Sequence, residues 1–234
     1  MSFKTELHCH TNFSGCSNVS AADMVDKFAA AGYSTVVVTN HFNYGYMNRE
    51  GDYRTLVKNA FAAIEEARVA AEGRLNVIGG MELSLKCMLN DFLLYGATEE
   101  FFLDVGEELF DMRPWQVRDK IHEVGGIIVQ AHPFRFNQVV VNPAEVDGIE
   151  VFNGHCGQYS HNEIAKAWAL AWADKYKKGE RFILTSGSDH HDDWHRATGG
   201  IITEEEIRTS DELVAVLKSG NYDRITTHLG NVEF

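Results

Sequence analysis

The feature that most constrains this chain is the regular alternation of short apolar runs with segments of helical spacing. Residues 34–39 and 127–131 are short runs rich in β-branched side chains, as in strands that are buried on both faces of a sheet. The intervening segments end at glycine, as the alanine-rich segment 53–72 does before Gly73. The same spacing predicts a helix over 163–178 and a last helix over 211–218 capped by Ser210, and it leaves 42–52 as a loop. The alternation predicts an α/β fold with a mostly parallel sheet of about seven core strands. An open doubly wound sheet and a closed barrel both satisfy this pattern.

Composition limits the class of protein. The chain has 234 residues, of which 44% are hydrophobic and 24% charged, and it contains no linker-like segment, so we predict one domain over residues 1–234. No apolar run approaches the roughly 18 residues that span a bilayer, and the first residues carry no secretory signal. The four cysteines are scattered and include no Cys-x-x-Cys pair. We therefore expect a cytoplasmic protein with no membrane partner.

The net charge of −13 bears on partners. Binding to nucleic acid needs a basic footprint on the protein, so the charge argues against duplex nucleic acid as a partner. Nothing in the sequence indicates the oligomeric state.

Side chains that bind metals occur at one end of almost every predicted strand. Since the carboxyl ends of parallel strands meet at one face of the fold, residues far apart in sequence are expected to meet there. These residues are His8, His10, His41, Glu82, Asp91, His132, His155 and Asp189. His8 and His10 are two positions apart, which puts both rings on the same face of a strand. Mixed nitrogen and carboxylate ligands favour Zn²⁺, Mn²⁺ or Fe over Ca²⁺ and Mg²⁺.

Five short strings, taken in order, resemble the PHP family, which is named for polymerase and histidinol phosphatase. They read Glu-Leu-His-Cys-His-Thr at 6–11, Val-Thr-Asn-His at 38–41, Gly-Met-Glu at 80–82, Ala-His-Pro at 131–133 and Gly-Ser-Asp-His-His at 187–191. Together they are far more specific than any one alone. The resemblance implies a distorted barrel of seven strands, (β/α)7, a centre of two or three divalent metals, and hydrolysis of phosphoesters.

The resemblance also implies the metal ligands. The first metal would be held by His8, His10, Glu82 and Asp189. Glu82 would bridge to a second metal, completed by Asp91 and His132. A third metal would use His41, His191 and position 15 or 16. Of Gly15 and Cys16 at those positions, only the cysteine offers a ligand atom.

A centre of this kind would attract phosphate, because three carboxylates and two divalent ions sum to about +1. We expect Glu82, Asp189 and Arg135 to be catalytic, with Arg135 forked onto phosphate oxygens. Arg196, His155 and His195 are further candidates for substrate contacts. The expected activity is hydrolysis of phosphomonoesters or small phosphodiesters, with a metal-bridging hydroxide attacking phosphorus in line, and the expected partner is a small phosphorylated substrate.

Two alternatives stay open at this point. The same ligands suit a hydrolase of C–N bonds of the amidohydrolase type, a class that usually holds a carboxylated lysine. Lys86 is the only lysine close after a predicted active-site strand. The second alternative is a metal-stabilised binding or regulatory module without catalytic activity.

Overall fold

Among the described residues, ten strands form one continuous sheet that curls until two of its parts meet, and two further strands form a separate pair. The structure, a computed structural model, describes residues 2–155, 157–173, 181–228 and 232–233. The strands are β1 (Phe3–Cys9), β2 (Thr35–Val38), β3 (His41–Phe42), β4 (Asn76–Ser84), β5 (Asp91–Tyr95), β6 (Ile127–Gln130), β7 (Gly148–Asn153), β8 (Ile183–Gly187), β9 (Ile201–Thr203), β10 (Asp223–Arg224), β11 (Thr227–His228) and β12 (Val232–Glu233). The sheet order is β10-β9-β1-β2-β4-β5-β6-β7-β8, β3 pairs with β4 beside this path, and β11 and β12 form the separate pair.

From β1 to β8 along this order, adjacent strands are parallel except at β5. Strand β5 runs antiparallel to both of its neighbours, β4 and β6. The sheet closes where the segment after β8 meets β1. There Cys9 and His190 form a parallel bridge, and the Asp189 amide donates to the His8 carbonyl at 2.7 Å. The result is a distorted barrel, which confirms the barrel prediction and excludes the open sheet.

The helices cover the outside of this barrel. They are α1 (Ala21–Ala30), α2 (Tyr44–Glu50), α3 (Tyr53–Ala71), α4 (Glu99–Val105), α5 (Pro114–Glu123), α6 (Asn162–Trp168) and α7 (Ser210–Ser219). Phe28 of α1 and Leu56 of α3 belong to an outer apolar cluster between helices and sheet. An inner cluster contains Leu7, Val37 and Leu93, together with residues of α7. Both clusters are buried, so the sheet is apolar on each face, as its β-branched runs predicted.

Some local predictions need correction. The predicted loop 42–52 contains α2, and an acidic segment forms α4. The last helix is capped by Thr209 rather than Ser210, because the Thr209 hydroxyl accepts from the Glu212 amide in a capping box. The helix predicted over 163–178 continues past α6 as π-helical turns at Ala169–Ala173, and its remaining residues lie outside the described ranges.

Candidate metal centre

Metal-binding side chains gather at one rim of the barrel. His8 lies in β1 and Glu82 in β4, while His132 and Asp189 follow β6 and β8. Asp91 is the first residue of β5. Because β5 is antiparallel, its beginning lies at the same rim as the ends of the parallel strands. The topology therefore brings together residues that span most of the chain.

The rim opens as a pocket of about 350 Å³. Its lining consists of Cys16, His41, Glu82, Asp91, His132, Arg135, His155, Asp189, His191 and Asp192. His8 and His10 are fully buried and contact two of these lining residues, Glu82 and Asp189. All nine residues that the sequence suggested as metal ligands thus lie in or directly behind one pocket.

Four side chains converge as the ligands of one ion would. The Nε2 atom of His8 lies 3.3 Å from Glu82 Oε1 and 3.4 Å from Asp189 Oδ1. The Nε2 atom of His10 lies 3.3 Å from Glu82 Oε2 and 3.3 Å from Asp189 Oδ1. A tetrahedral site with ligand distances of about 2.0–2.1 Å places neighbouring ligand atoms about 3.3 Å apart. The observed separations match that spacing.

Four buried polar atoms at this point contact other candidate ligands but make no hydrogen bond of good geometry with them. They are His8 Nε2, His10 Nε2, Glu82 Oε2 and Asp189 Oδ1. Leaving a buried polar group unpaired costs roughly 1–3 kcal/mol. A divalent cation would satisfy all four, so the donor set fits a resident metal ion.

Further groups of donors share residues with this one. Glu82 joins Asp91 and His132, and His10 joins His41 and His191, with the donor atoms of each group within 4.8 Å of one another. Glu82 therefore belongs to two groups, as a bridging carboxylate would. These donor groups therefore lie side by side at one rim of the barrel.

Cys16 contacts the third group. Desolvation of the sulfur raises the pKa of Cys16, but hydrogen bonds with His191 and His41 lower it, and the net pKa is about 6. A thiol next to two imidazoles in this way is readily deprotonated. Cys16, the sulfur donor that the sequence suggested, therefore lies beside His41 and His191, the two histidines expected to share a third metal with it.

The electrostatics around the carboxylates are those of a cation site. Burial of the His8 ring opposes protonation, but the surrounding carboxylates, Asp189 foremost, hold the pKa of His8 well above its usual value. Burial raises the pKa of the Glu82 carboxyl group. The charges of His41 and His8 outweigh this effect and hold the pKa of Glu82 well below its usual value. The carboxylates therefore favour a positive charge at this point, which a divalent ion would supply.

The backbone is strained at two of the candidate ligands. His132 has φ of 26° and Asp189 has φ of 49°, in the left-handed region that non-glycine residues rarely adopt. Such residues cost about 1–3 kcal/mol each and cluster at functional sites. Each lies two residues after the end of its strand, where the turn redirects the side chain.

Hydrogen bonds orient the carboxylates of the site, and the residues that supply them were not predicted. Ser84 Oγ donates to Asp91 Oδ1 at 2.6 Å, and Gln138 Nε2 donates to Asp91 Oδ2 at 3.0 Å. Asn153 Nδ2 donates to Asp189 Oδ2 at 3.1 Å. The same amide donates to the fully buried carboxylate of Glu150 at 2.8 Å. The sequence offered one signal for Glu150, because it is the single charged residue in the otherwise apolar run Gly-Ile-Glu-Val-Phe at 148–152.

The expected substrate residues divide into two groups. Arg135 and His155 line the pocket, and Arg135 Nη2 lies 2.6 Å from Asp189 Oδ2. His195 is buried behind the pocket, with its ring in edge contact with that of His155 at 4.6 Å between centroids. Arg196 is exposed, and the described lining of the pocket does not include it. The structure therefore favours Arg135 over Arg196 for contact with phosphate.

Lys86, on which the C–N hydrolase alternative depended, forms an exposed ion pair with Asp111 at 3.0 Å. It is absent from the described residues that line the pocket. No lysine is among the described residues that line the pocket.

The fold and this cluster define a barrel of the PHP type with a metal-binding rim. The family model of the PHP domain matches residues 6–228, and the chain belongs to this family. No curated protein matches the chain. Within the described residues, no helix is long and apolar enough to cross a membrane.

Several solved structures share the fold. One is a two-domain protein from Bacteroides vulgatus that contains a predicted PHP-like metal-dependent phosphoesterase, with TM-score 0.65, 17% identity, and coverage of 97% of this chain and 65% of that chain. Endonuclease Q, in complex with a 27-mer duplex that has an abasic lesion at the active site, gives TM-score 0.61, 14% identity, and coverage of 96% and 58%. An amidohydrolase from Chromobacterium violaceum with bound sulfate gives TM-score 0.53, 14% identity, and coverage of 95% and 98%.

The chain spans about two thirds or less of the first and second of these proteins. At these identities the similarity establishes the fold. The complex of endonuclease Q also shows that a protein with this fold binds duplex DNA, so net charge alone is not sufficient ground for excluding such a partner.

Proposed function

We propose that this chain is a metal-dependent hydrolase of phosphomonoesters or small phosphodiesters. The observation that carries the proposal is the convergence of three donor groups, linked by Glu82 and His10, in one open pocket beside Arg135. Membership of the PHP family and the phosphoesterase named in a similar structure support the same class of reaction. Zn²⁺, Mn²⁺ or Fe suits the mixed nitrogen and carboxylate donors.

When bound, two neighbouring divalent ions lower the pKa of water and neutralise charge on a phosphoryl group. The protein's own residues hold and complement this centre. His8, His10 and Asp189 would hold the first position and Asp91 and His132 the second, and Glu82 would contribute to both. Since Arg135 lines the pocket within 2.6 Å of Asp189, its guanidinium can reach a phosphate next to the first position. Such charge-assisted bonds stabilise charge that develops on phosphate oxygens.

The pocket size supports a small substrate. A volume of about 350 Å³ is at the lower end of the range for small-molecule sites, and ten lining residues that are mostly polar favour a compact anion. Duplex DNA is the competing substrate, because endonuclease Q shares the fold. Parallel assays on p-nitrophenyl phosphate and on a duplex with an abasic lesion separate the two.

The central test is Glu82→Gln. Because Glu82 contributes to two donor groups, we expect the variant to lose metal from both positions and to lose at least 100-fold in hydrolysis of p-nitrophenyl phosphate, roughly the effect of removing about 3 kcal/mol of transition-state stabilisation. Elemental analysis and activity with added Mn²⁺ or Zn²⁺ provide the measurements. Freshly purified native protein should contain at least two metals per chain, held in one cluster with neighbouring ions roughly 3.5–4 Å apart.

Asp147→Asn is the matched control. Asp147 is also a buried carboxylate in contact with a histidine, His122, at 3.0 Å, but it precedes β7 at the opposite end of the barrel. We expect the control to keep its metal and its activity. Native protein that takes up less than one metal on dialysis would contradict the proposal, and metal uptake without hydrolysis would favour the non-catalytic alternative.

A further inference from the structure

Glu150 lies beneath the candidate metal centre and is exposed to solvent by only 1%. Its carboxylate receives three hydrogen bonds from groups that belong to different parts of the site. Oε1 lies 3.1 Å from His8 Nδ1. Oε2 accepts from the His132 backbone amide at 3.0 Å and from Asn153 Nδ2 at 2.8 Å.

The contact with His8 determines which ring nitrogen is available. Oε1 of an ionised carboxylate can only accept, so Nδ1 of His8 must carry the proton. The lone pair of the neutral ring is then on Nε2, which is the atom that faces Glu82 and Asp189. A ligating histidine generally gives its other N–H to such a partner, which fixes its tautomer and ring orientation.

The contact with His132 supports a second part of the centre. His132 adopts a strained left-handed conformation, with φ of 26°, and its amide is held by Glu150 Oε2. This bond fixes the turn that directs the His132 ring toward Glu82, whose Oε1 lies 3.1 Å from His132 Nε2. One carboxylate therefore supports a ligand of the first position and a ligand of the second.

We propose that Glu150 is a positioning residue that prepares both metal positions at once, by setting the His8 tautomer and holding the turn at His132. This inference rests on the proposed metal centre. It goes beyond that proposal because Glu150 would touch neither metal nor substrate.

An amide cannot replace the carboxylate at this position. All three groups around Glu150 are donors, and glutamine offers one accepting oxygen and one donating nitrogen. If the glutamine oxygen faces the His132 amide and Asn153, its nitrogen donates to His8 Nδ1 and forces the proton to Nε2, where it blocks metal binding. If the amide is flipped, its nitrogen faces two donors, and the turn at His132 loses its support.

The test is Glu150→Gln in the full chain, with metal affinity measured by titrating Zn²⁺ against a competing chelator. We expect affinity to fall by about 10–100-fold, the usual effect of removing a partner of a ligating histidine, at both positions. Asp147→Asn again serves as the control and should leave the affinity unchanged. Native protein that binds no Zn²⁺ would overturn the proposed metal centre itself, and native binding with an unchanged Glu150→Gln affinity would overturn only the role of Glu150.

A second measurement uses the native protein and does not depend on the folding of a variant. Nitrogen-15 NMR of the Zn²⁺-loaded protein should show His8 protonated at Nδ1 and ligated at Nε2, a signature that a purely structural role for Glu150 would not require. In Glu150→Gln, a folded population should show the proton at Nε2 or a ring without metal. A native His8 ligated through Nδ1 would overturn the inference even if the variant fails to fold.

Discussion

Glu82 contacts four imidazole rings at the candidate metal centre. Its carboxylate oxygens lie 3.3 Å from His8, 3.3 Å from His10, 2.8 Å from His41 and 3.1 Å from His132. A fully buried carboxylate is costly unless it is paired. The buried charge of Glu82 is compatible with an apolar strand when positive charge surrounds it, either on protonated rings or on metal ions.

Cys16 distinguishes the third donor group from the other two. Replacing native metal with Co²⁺ should produce an intense thiolate-to-cobalt charge-transfer band, because the sulfur lies against His41 and His191. Cys16→Ser should abolish the band and lower occupancy of the third position while retaining the first two metals. Cys87→Ser, which removes another exposed thiol, is the control. An unchanged spectrum in Cys16→Ser would mean that the sulfur is not a ligand.

Arg135→Lys should lower kcat/KM for the best phosphoester substrate by about 10–100-fold, since a charge-assisted hydrogen bond contributes about 1.5–3 kcal/mol. Lysine keeps the charge but loses the planar fork. Steady-state kinetics and metal analysis test this, and metal content should not change. The control is Arg208→Lys, which alters an exposed arginine paired with Glu206. Equal kinetics for native protein and Arg135→Lys would assign Arg135 to its contact with Asp189 alone.

At the scale of elements, the join between β8 and β1 positions the first donor group. Strand β1 is irregular between Glu6 and Cys9, so that Leu7 packs into the inner apolar cluster while His8 faces the metal site. An irregularity of this kind redirects a side chain. Across the join, the Glu6 carboxylate accepts from the Ser188 amide at 2.8 Å and from the Ser188 hydroxyl at 2.6 Å.

Gly187, the last residue of β8, permits this close approach. An added Cβ would lie 2.4 Å from His8 Cβ and 2.6 Å from Glu150 Oε1. Gly187→Ala should therefore separate the two elements, destabilise the fold by about 1–3 kcal/mol and weaken metal binding at the first position. Urea unfolding and Zn²⁺ titration measure the two effects.

The control for this variant is Gly45→Ala in the exposed helix α2, where the nearest atom to an added Cβ is a side-chain oxygen of Asn43 at 3.2 Å. It should leave metal affinity intact. Native affinity in Gly187→Ala would show that the join tolerates a methyl group and that ligand placement does not depend on it.

In the whole molecule, we expect metal binding to be coupled to folding, because the candidate ligands come from β1, β4, β5 and the segments after β6 and β8. A metal at 100 times its Kd adds about 2.7 kcal/mol per site to the free energy of unfolding. For a chain of this length, that raises Tm by about 5–10 °C. Calorimetry with and without chelator measures the difference.

Glu82→Gln provides the internal comparison for this experiment. The variant should lose most of the chelator-dependent change in Tm, because it removes a ligand from two donor groups. A native Tm that is identical with metal and with chelator would indicate that no ion binds tightly at this rim.

Residue type and order along the chain were sufficient to identify the candidate metal ligands. His8, His132 and Asp189 could be placed because each stands at or near the end of a predicted strand, and parallel strands end at a common rim. Asp91 could be placed at the beginning of its strand, although only the antiparallel direction of β5 explains why that beginning lies at the rim. The type of each donor and its position relative to a predicted strand can be recognised from neighbouring residues alone, so the sequence was sufficient to predict them.

The long-range contacts of the fold bring the segment after β8 against β1, and this closure places the side chains that support the candidate ligands. His8 and Glu150 are separated by 142 positions, and their pairing follows from the contact between β1 and the end of β8. Likewise, Arg135 lines the pocket whereas Arg196 is exposed, although both follow strands that end at the rim. Strand pairing and loop direction depend on long-range packing, and neither apolar periodicity nor motif spacing records them.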